Sequence, residues 1–467
     1  MIAALDRAGI RPRFRHRELL LLALASVAFF AGWVSLASQQ LGELSVGDPT
    51  IPIAYVGILF VIHLGFVLTG RRMDQVLLPV AGMLGSLSLL LMARLPQGLA
   101  GLSLGSVDLG LAPLQLLWLS VAFSVLAVLA IVVRNDNWLR EYKYTWAAVG
   151  IGLLLLVFVL PPAGADDGPR LSLRIGPVTG QPSELLKVIL VVFLAGYLAE
   201  NRTLLARTST KLGPISLPPV PYLLPMLAMW GVALAIVIVQ RDLGAALLFF
   251  TVFLTLLYVA TRRFAYVVLG MAMFLVGATV LYQLFPHVRV RVDIWLDPWA
   301  DPLGAGYQVI RALYAFGRGG ILGTGLGAGL PAVGDTPAIP AIHTDFVFAA
   351  LAEELGMLGG LAIVALYAVI AERGLRIAAR AADDFRALLA VGLTLVIVIQ
   401  AALIIGGNLK LVPLTGITLP FISYGGSSLL ANAIVIGLLL ALSDRGVEPP
   451  PPPSSARRFQ LPSWASA

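Results

Sequence analysis

Cysteine is absent from the 467 residues, which excludes a disulfide framework, a thiolate metal site and a cysteine nucleophile. Charge is scarce. Asp, Glu, Lys and Arg make up 12% of the chain, about half the roughly 25% typical of soluble domains. Histidine is rare: His16, His63, His287 and His343 are scattered without an HExxH or similar ligand spacing, which argues against a structural zinc site. No internal repeat is visible. What remains is apolar, with 59% hydrophobic residues. A water-soluble fold of this length would have to hide more apolar surface than one core allows, so the composition fits lipid as solvent. The expected class is an all-α polytopic membrane protein.

Apolar runs long enough to span a bilayer fall at roughly 18–40, 52–70, 76–94, 113–133, 143–162, 182–199, 219–239, 242–260, 264–285, 345–370, 386–408 and 421–442, about twelve spans. The runs 219–239 and 242–260 touch at Gln240-Arg241-Asp242, which reads as a tight hairpin. The alternative, one kinked helix of about forty residues, is about twice what a bilayer needs.

The net charge of +7 raises the question of nucleic acid, but the basic residues sit in short loops between apolar runs, and no nucleic-acid partner is expected. The amino terminus carries Arg7, Arg11, Arg13, Arg15 and Arg17. With that end cytoplasmic, the loops with Arg71-Arg72, with Arg134, Arg140 and Lys143, with Arg202, Arg207 and Lys211, with Arg262-Arg263, and with Arg373, Arg376, Arg380 and Arg386 all fall inside. The opposite loop 95–112 has no Lys or Arg. Both termini are expected in the cytoplasm. The first run is too long for a signal-peptide core and is read as a helix.

Residues 1–17 are thus a basic cytoplasmic start, 18–94 a set of amino-terminal helices, 95–445 a membrane core and 446–467 a disordered Pro-rich cytoplasmic tail. Two outer loops are long. One, Pro161 to Gln181, holds Asp166, Asp167, Arg170 and Arg174. The other, about 286–344 and before the third-last span, carries Trp295, Trp299, Tyr307, Tyr314 and Phe316 and is expected to fold against the membrane surface.

Ionisable groups inside or beside spans are functional candidates by default. Glu184 and Lys187, three apart, can pair on one helix face. Asp242 and Asp345 each begin a span, and Glu353 and Glu354 are expected about 12–13 Å further down the second one. Asn408 and Lys410 end the next. Most of these groups converge on the outer half of the membrane, where an extracytoplasmic polar cavity is expected. The glycines at 317–329 lack the Gly-Lys-Ser/Thr of a P-loop and are read as permitting tight turns at the membrane surface.

A series of motifs runs in order over about residues 140–445. It comprises Gln181-Pro182-Ser183-Glu184 with Lys187, Gln240-Arg241-Asp242-Leu243-Gly244, Asp297-Pro298-Trp299-Ala300-Asp301-Pro302, Gly306-Tyr307-Gln308, Phe316-Gly317-Arg318-Gly319-Gly320 and Gly323-Thr324-Gly325-Leu326-Gly327. It continues with His343-Thr344-Asp345-Phe346, Ala352-Glu353-Glu354-Leu355-Gly356 and Leu419-Pro420-Phe421-Ile422-Ser423-Tyr424-Gly425-Gly426-Ser427-Ser428. On these motifs the chain resembles the SEDS (shape, elongation, division, sporulation) family of RodA- and FtsW-like proteins. It departs from the usual pattern in having two spans beyond ten, Ala341 where an acidic residue is usual, Ser172 for a Trp and Arg311 for a Gln.

The resemblance implies a peptidoglycan glycosyltransferase that polymerises lipid II into glycan strands on the outer face of the cytoplasmic membrane, in support of elongation or division. The acceptor 4-hydroxyl attacks the donor's anomeric carbon with inversion and undecaprenyl diphosphate leaves. A diphosphate departs without a general acid, so one carboxylate base plus cations suffices. The resemblance puts the base at Asp345, and a helix start favours its ionised form. Arg289 and Arg291, and less directly Arg318, are the cations for the diphosphate, since a guanidinium fork binds its oxygens bidentately. Further substrate contacts are implied at Gln308, His343, Thr344, Glu184, Lys187, Asp242, Ser423 and Tyr424. No cofactor is required; a divalent cation, Mg or Mn, is a candidate to share the diphosphate's charge. The implied partners are lipid II, the growing strand, the bilayer and a class B penicillin-binding protein.

Structural readings stand beside these. Asp345 is equally suited to cap a helix. Glu184 with Lys187, and Asp242, could shape a cavity without reacting. Glu353 and Glu354 read as buried partners of arginines. His343 reads as a packing neighbour, and Ser423 and Tyr424 as residues of a close-packed helix start. A lipid-linked precursor flippase and an inactive scaffold for a transpeptidase are the competing functions.

Overall fold

The structure, a computed structural model, describes residues 13–104, 107–159, 173–175, 178–207, 210–212, 215–217, 231, 242–330, 332–333 and 336–444. Eleven of the twelve apolar runs lie on helices: His16–Leu41, Thr50–Thr69, Leu77–Arg94, Leu111–Val132, Lys143–Val159, Pro182–Arg207, Leu243–Thr261, Phe264–Leu284, Val347–Ala379, Asp384–Asn408 and Gly426–Leu442. Nine helices among the described residues are long and apolar enough to cross a membrane. Lys143–Val159 and Gly426–Leu442 are shorter, 17 residues each. The run at 219–239 apart from residue 231, the Gln240-Arg241 part of the expected hairpin, most of the 161–181 loop, the first twelve residues and the Pro-rich tail lie outside the described residues. Among the described residues strand occurs only as four short antiparallel hairpins in the connections.

Local chemistry sets several helix starts. Asp242 accepts a bond from Ala245 N at 3.0 Å, and Asp383 accepts one from Arg386 N at 2.9 Å, each meeting an amide that the first turn leaves open. The long loop carries the helices Pro286–Leu296 and Tyr307–Gly319. Its helix Tyr307–Gly319 is amphipathic and buries Val309, Ile310, Ala312 and Ala315. Burial then sorts the spans. Leu77–Arg94 and Pro182–Arg202 are 83% buried, Leu243–Thr261 and Asp384–Asn408 67%, whereas Phe264–Leu284 is only 6% buried and packs against little but its chain neighbours.

The helix Val347–Ala379 is broken at Gly356, where φ is 71° and ψ −171°. The glycine-rich stretch after Tyr307–Gly319 enters the gap. Thr324 N and Gly325 N donate to the carbonyls of Glu353 and Glu354, each at 3.0 Å, while Met357 N and Leu358 N donate to Gly320 O and Ile321 O at 2.9 and 3.2 Å. The helix thus trades its own ladder for bonds to the loop. Gly323, with φ 84°, has no room for a side chain, since a Cβ there would sit 2.2 Å from Glu354 O. The surface changes at the break. Val347 to Ala352 are at most 5% exposed, whereas Met357, Leu358 and Leu361 are 53–57% exposed, as a lipid-facing stripe would be. From Leu358 to Ala379 the helix runs about 33 Å at 1.5 Å per residue, a full bilayer core by itself. Glu353 and Glu354 lie on the short stretch of this helix before the break, between Asp345 and the part that could cross a bilayer by itself.

Their expected role as partners of arginines holds. Glu353 pairs with Arg318 at 3.1 Å and accepts from Leu330 N at 2.8 Å; Glu354 lies 3.7 Å from Arg94 and accepts from Gly327 N at 3.1 Å. The opposite end of the bundle has its own buried charges. Glu18 is held by Arg15 at 2.5 and 3.1 Å and by His63 at 2.6 Å. Arg15 also donates to the carbonyls of Met73 and Asp74 at 3.3 and 2.7 Å. Arg71 joins Asp444 at 2.5 Å, and Arg386 joins Asp136 at 2.6 Å.

Candidate functional site

Asp345 sits in the turn before the helix that starts at Val347. That helix is capped by Phe346 without any side-chain bond, so the Asp345 carboxylate is not a cap. The backbone around it is pinned from three sides. His343 O accepts from Tyr424 N at 2.8 Å, Thr344 O from Ser423 Oγ at 2.5 Å, and Asp345 O from Asn408 Nδ2 at 2.8 Å. Burial pushes the Asp345 carboxyl up to about 6, with the Thr344 hydroxyl and the charge of Arg291 acting the other way. The helix start was expected to favour ionisation; loss of solvent outweighs it here.

Two cavities meet at this residue. The larger, of 520 Å³, is lined by Asp345 and Thr344 on one side and by Ser183, Glu184, Lys187 and Asp242 on another, with Tyr424, Ser427 and Ser428 from the start of the last helix. The volume is in the range of small-molecule sites. Lys187 Nζ has three acceptors: Glu184 Oε2 at 2.6 Å, Gln400 Oε1 at 2.7 Å and Asn432 Oδ1 at 2.8 Å. This is the expected intrahelical pair, fixed to two further helices. Asp242 accepts from Ser183 Oγ at 3.2 Å besides capping its helix, and burial raises its carboxyl as well.

The smaller cavity, of 180 Å³, is lined by Arg291, Trp295, Gln308, Lys410 and Asp345; Asp345 and Gly416 belong to both. Arg291 donates to Leu414 O and Thr415 O at 3.2 and 2.9 Å. Lys410 lies over the Trp299 ring at 5.3 Å and reaches Leu296 O at 3.3 Å. Ala341, Lys410 and Phe421, around this centre, have φ of 55°, 60° and 64°. The left-handed region costs a residue with a side chain about 1–2 kcal/mol, and such strain gathers where a structure is built for a task.

The structure therefore unites Asp345, Thr344, Glu184, Lys187, Asp242, Tyr424, Arg291 and Gln308 around two joined cavities, and leaves four expected contacts out. Arg289 turns away to Gln283 O at 3.1 Å and the Tyr282 ring. Arg318 is engaged with Glu353. Ser423 points inward, accepting from Leu419 N at 2.8 Å while it donates to Thr344 O. His343 packs 5.8 Å from the Tyr424 ring and lines neither cavity; burial lowers its imidazole. Gln400, Asn432 and Thr418 were not anticipated. Gln400 and Asn432 are lone amides inside apolar runs, and that rarity was the available signal. No group of three His, Asp or Glu that could hold a metal ion occurs among the described residues.

With this geometry in view, the comparisons with known proteins are decisive. The family model described as "Cell cycle protein", covering FtsW, RodA and SpoVE, matches residues 74–446. The chain belongs to this family. Among relatives of the FtsW/RodA/SpoVE family, "Peptidoglycan glycosyltransferase RodA" of Mycobacterium tuberculosis (strain ATCC 25618 / H37Rv) is 38% identical over 439 residues, 94% of this chain and 92% of that protein. A match of that length cannot fit within the stretch from residue 74 onward, so it takes in part of the two amino-terminal helices. "Stage V sporulation protein E" of Bacillus subtilis (strain 168) is 36% identical over 324 residues, 69% of this chain and 85% of its own. Among solved structures, a chain from "Structural coordination of polymerization and crosslinking by a peptidoglycan synthase complex" aligns with TM-score 0.61 and 27% identity over 80% of this chain and 98% of its own. The Thermus thermophilus rod shape determining protein RodA shares the fold, with TM-score 0.53 at 23% identity over 81% and 99%.

Proposed function

We propose that this family member is a peptidoglycan glycosyltransferase that polymerises lipid II on the outer face of the cytoplasmic membrane, with both termini inside and Asp345 as general base. One observation carries the reading: a desolvated carboxyl with no ion pair among the described residues, at the junction of two cavities, beside Arg291. A base works best when its pKa lies near the working pH, and burial lifts Asp345 from the ordinary carboxylate range toward that point.

In the reaction the acceptor's 4-oxygen bonds to the donor's anomeric carbon as the bond to the diphosphate oxygen breaks. The hydroxyl proton passes to Asp345, and the electron pair leaves on the diphosphate. Arg291 faces that developing charge. Glu184, Lys187 and Asp242 form a fixed polar wall that orients sugar hydroxyls, with Thr344, Gln308 and Tyr424 as further contacts. A Mg or Mn ion carried in with the diphosphate would share the charge. The synthase-complex neighbour supports a penicillin-binding transpeptidase as partner, consuming the strand as it forms.

The test is conversion of lipid II to glycan strands by purified full-length protein, with and without chelator and a cognate transpeptidase. Strand formation that Asp345→Asn abolishes while the protein stays folded supports the reading. Product from Asp345→Asn at the wild-type rate removes Asp345 from its role.

A further inference from the structure

An inverting displacement places the incoming and departing oxygens on opposite sides of the anomeric carbon, and two cavities share Asp345 in their walls. We propose that the smaller cavity is the subsite for the donor's diphosphate and that Lys410 is its second cation, which assigns the acceptor sugar to the larger cavity. This rests on the glycosyl-transfer reading above.

Charge separates the two places. The larger cavity carries Glu184 and Asp242 besides Asp345, and its one lysine is already surrounded by three acceptors. A diphosphate there would face carboxylates. The smaller cavity carries Arg291 and Lys410, and among the described residues its only carboxylate is Asp345 on the shared wall. Among the described residues neither cation forms an ion pair; carbonyl oxygens and an indole ring hold them, which aims the charge without neutralising it. Size agrees. The smaller cavity, 180 Å³ against 520 Å³, is the one scaled to a diphosphate, and the larger is the one scaled to a sugar.

The backbone supplies a second argument. Lys410 adopts φ 60°, a conformation that glycine or asparagine would take with less strain. A lysine kept there is explained by what its ammonium reaches. During transfer the carbon–oxygen bond to the diphosphate breaks with its electron pair staying on phosphate. Lys410 and Arg291 meet that charge, while the acceptor proton goes to Asp345 on the other side.

The experiment is equilibrium binding of undecaprenyl diphosphate and undecaprenyl monophosphate to the detergent-solubilised full chain, comparing wild type with Lys410→Arg, Lys410→Gln and Lys410→Asn. Asparagine suits the left-handed backbone, so that variant removes the charge without adding strain. The expected result is about tenfold weaker diphosphate binding in the Gln and Asn variants, little change for monophosphate, and retention in the Arg variant. Diphosphate affinity unchanged in both neutral variants would overturn the proposal, as would an equal loss for both ligands. Strand formation by the wild type is scored separately. Polymerisation with diphosphate affinity indifferent to position 410 sinks the subsite and leaves the enzyme; diphosphate preference lost at position 410 in a protein that makes no strands keeps the subsite and sinks the enzyme.

Discussion

The bundle buries charge at both ends, and the two ends treat it differently. Around Glu18, which is fully buried, every charge has a partner: Arg15 takes both carboxylate oxygens and three backbone carbonyls, and His63 closes the third side. At the other end Asp345 is half-buried against two cavities and lost solvent still raises its carboxyl, yet the nearby cation Arg291 is tied to carbonyls and makes no ion pair with it. The first arrangement is a joint. The second leaves a carboxylate short of compensation, and that deficit raises its proton affinity. Buried charge that is satisfied holds a fold together; buried charge left unsatisfied beside a cavity is available for chemistry.

The sharpest way to break this contrast is to remove each carboxylate in turn. Asp345→Asn should cut strand formation by about 10²–10⁴-fold, the usual worth of a positioned base, measured as lipid II turnover per folded molecule. Glu18→Ala should leave that turnover intact and destabilise the protein by about 3–5 kcal/mol, read from thermal unfolding in detergent, because Arg15 is left buried without its partner. If Glu18→Ala instead silenced turnover in folded protein, the two ends would be one functional unit and the contrast would fail.

The pH dependence sharpens it further. With the carboxyl at about 6, the base form is lost as pH falls. Turnover should drop about tenfold per unit below pH ~6 and level off above it. Stability carries the opposite sign. A raised acid pKa means that the folded state binds its proton more tightly than the unfolded state. The penalty is therefore absent well below the ordinary value of 3.8 and complete above about 6. Asp345→Asn should thus stabilise the protein by about 3 kcal/mol at pH ~8 and by almost nothing at pH ~3, seen as a melting-temperature difference that shrinks with acid. The smallest effect expected is from Ser423→Ala. It loses the hydroxyl that joins Leu419 N to Thr344 O, costing about 1–2 kcal/mol of stability with a modest fall in turnover.

Span positions were legible because a bilayer demands about twenty apolar residues in a row, and interruptions to that pattern are easily seen. The break at Gly356 was not. Gly-Met-Leu-Gly-Gly sits inside an apolar run, and nothing local records that a loop from earlier in the chain supplies the missing backbone partners. In the site, Glu184, Lys187, Asp242 and Asp345 stood out because ionisable groups are rare in such surroundings. Arg289 and Arg291 could not be told apart as a motif. On the helix Pro286–Leu296 they are about 200° apart, which sends one to the cavity and the other to Tyr282. Ser423 reads like a substrate contact in a polar run, but its direction depends on where Thr344 lies. Gln400 and Asn432 went unnoticed because they carry no charge, although they fix Lys187.

The exchange of backbone bonds at Gly356 makes the floor beneath Asp345 a seam between two stretches of chain. Lifting the loop would strand two carbonyls and two amides at once in apolar surroundings, where each bare group is expensive. Each bond broken alone leaves bare groups beside the other three, so the four reinforce one another. A pull on the residues around Thr324 is therefore delivered to the short helix behind Asp345 with the stiffness of a sewn edge.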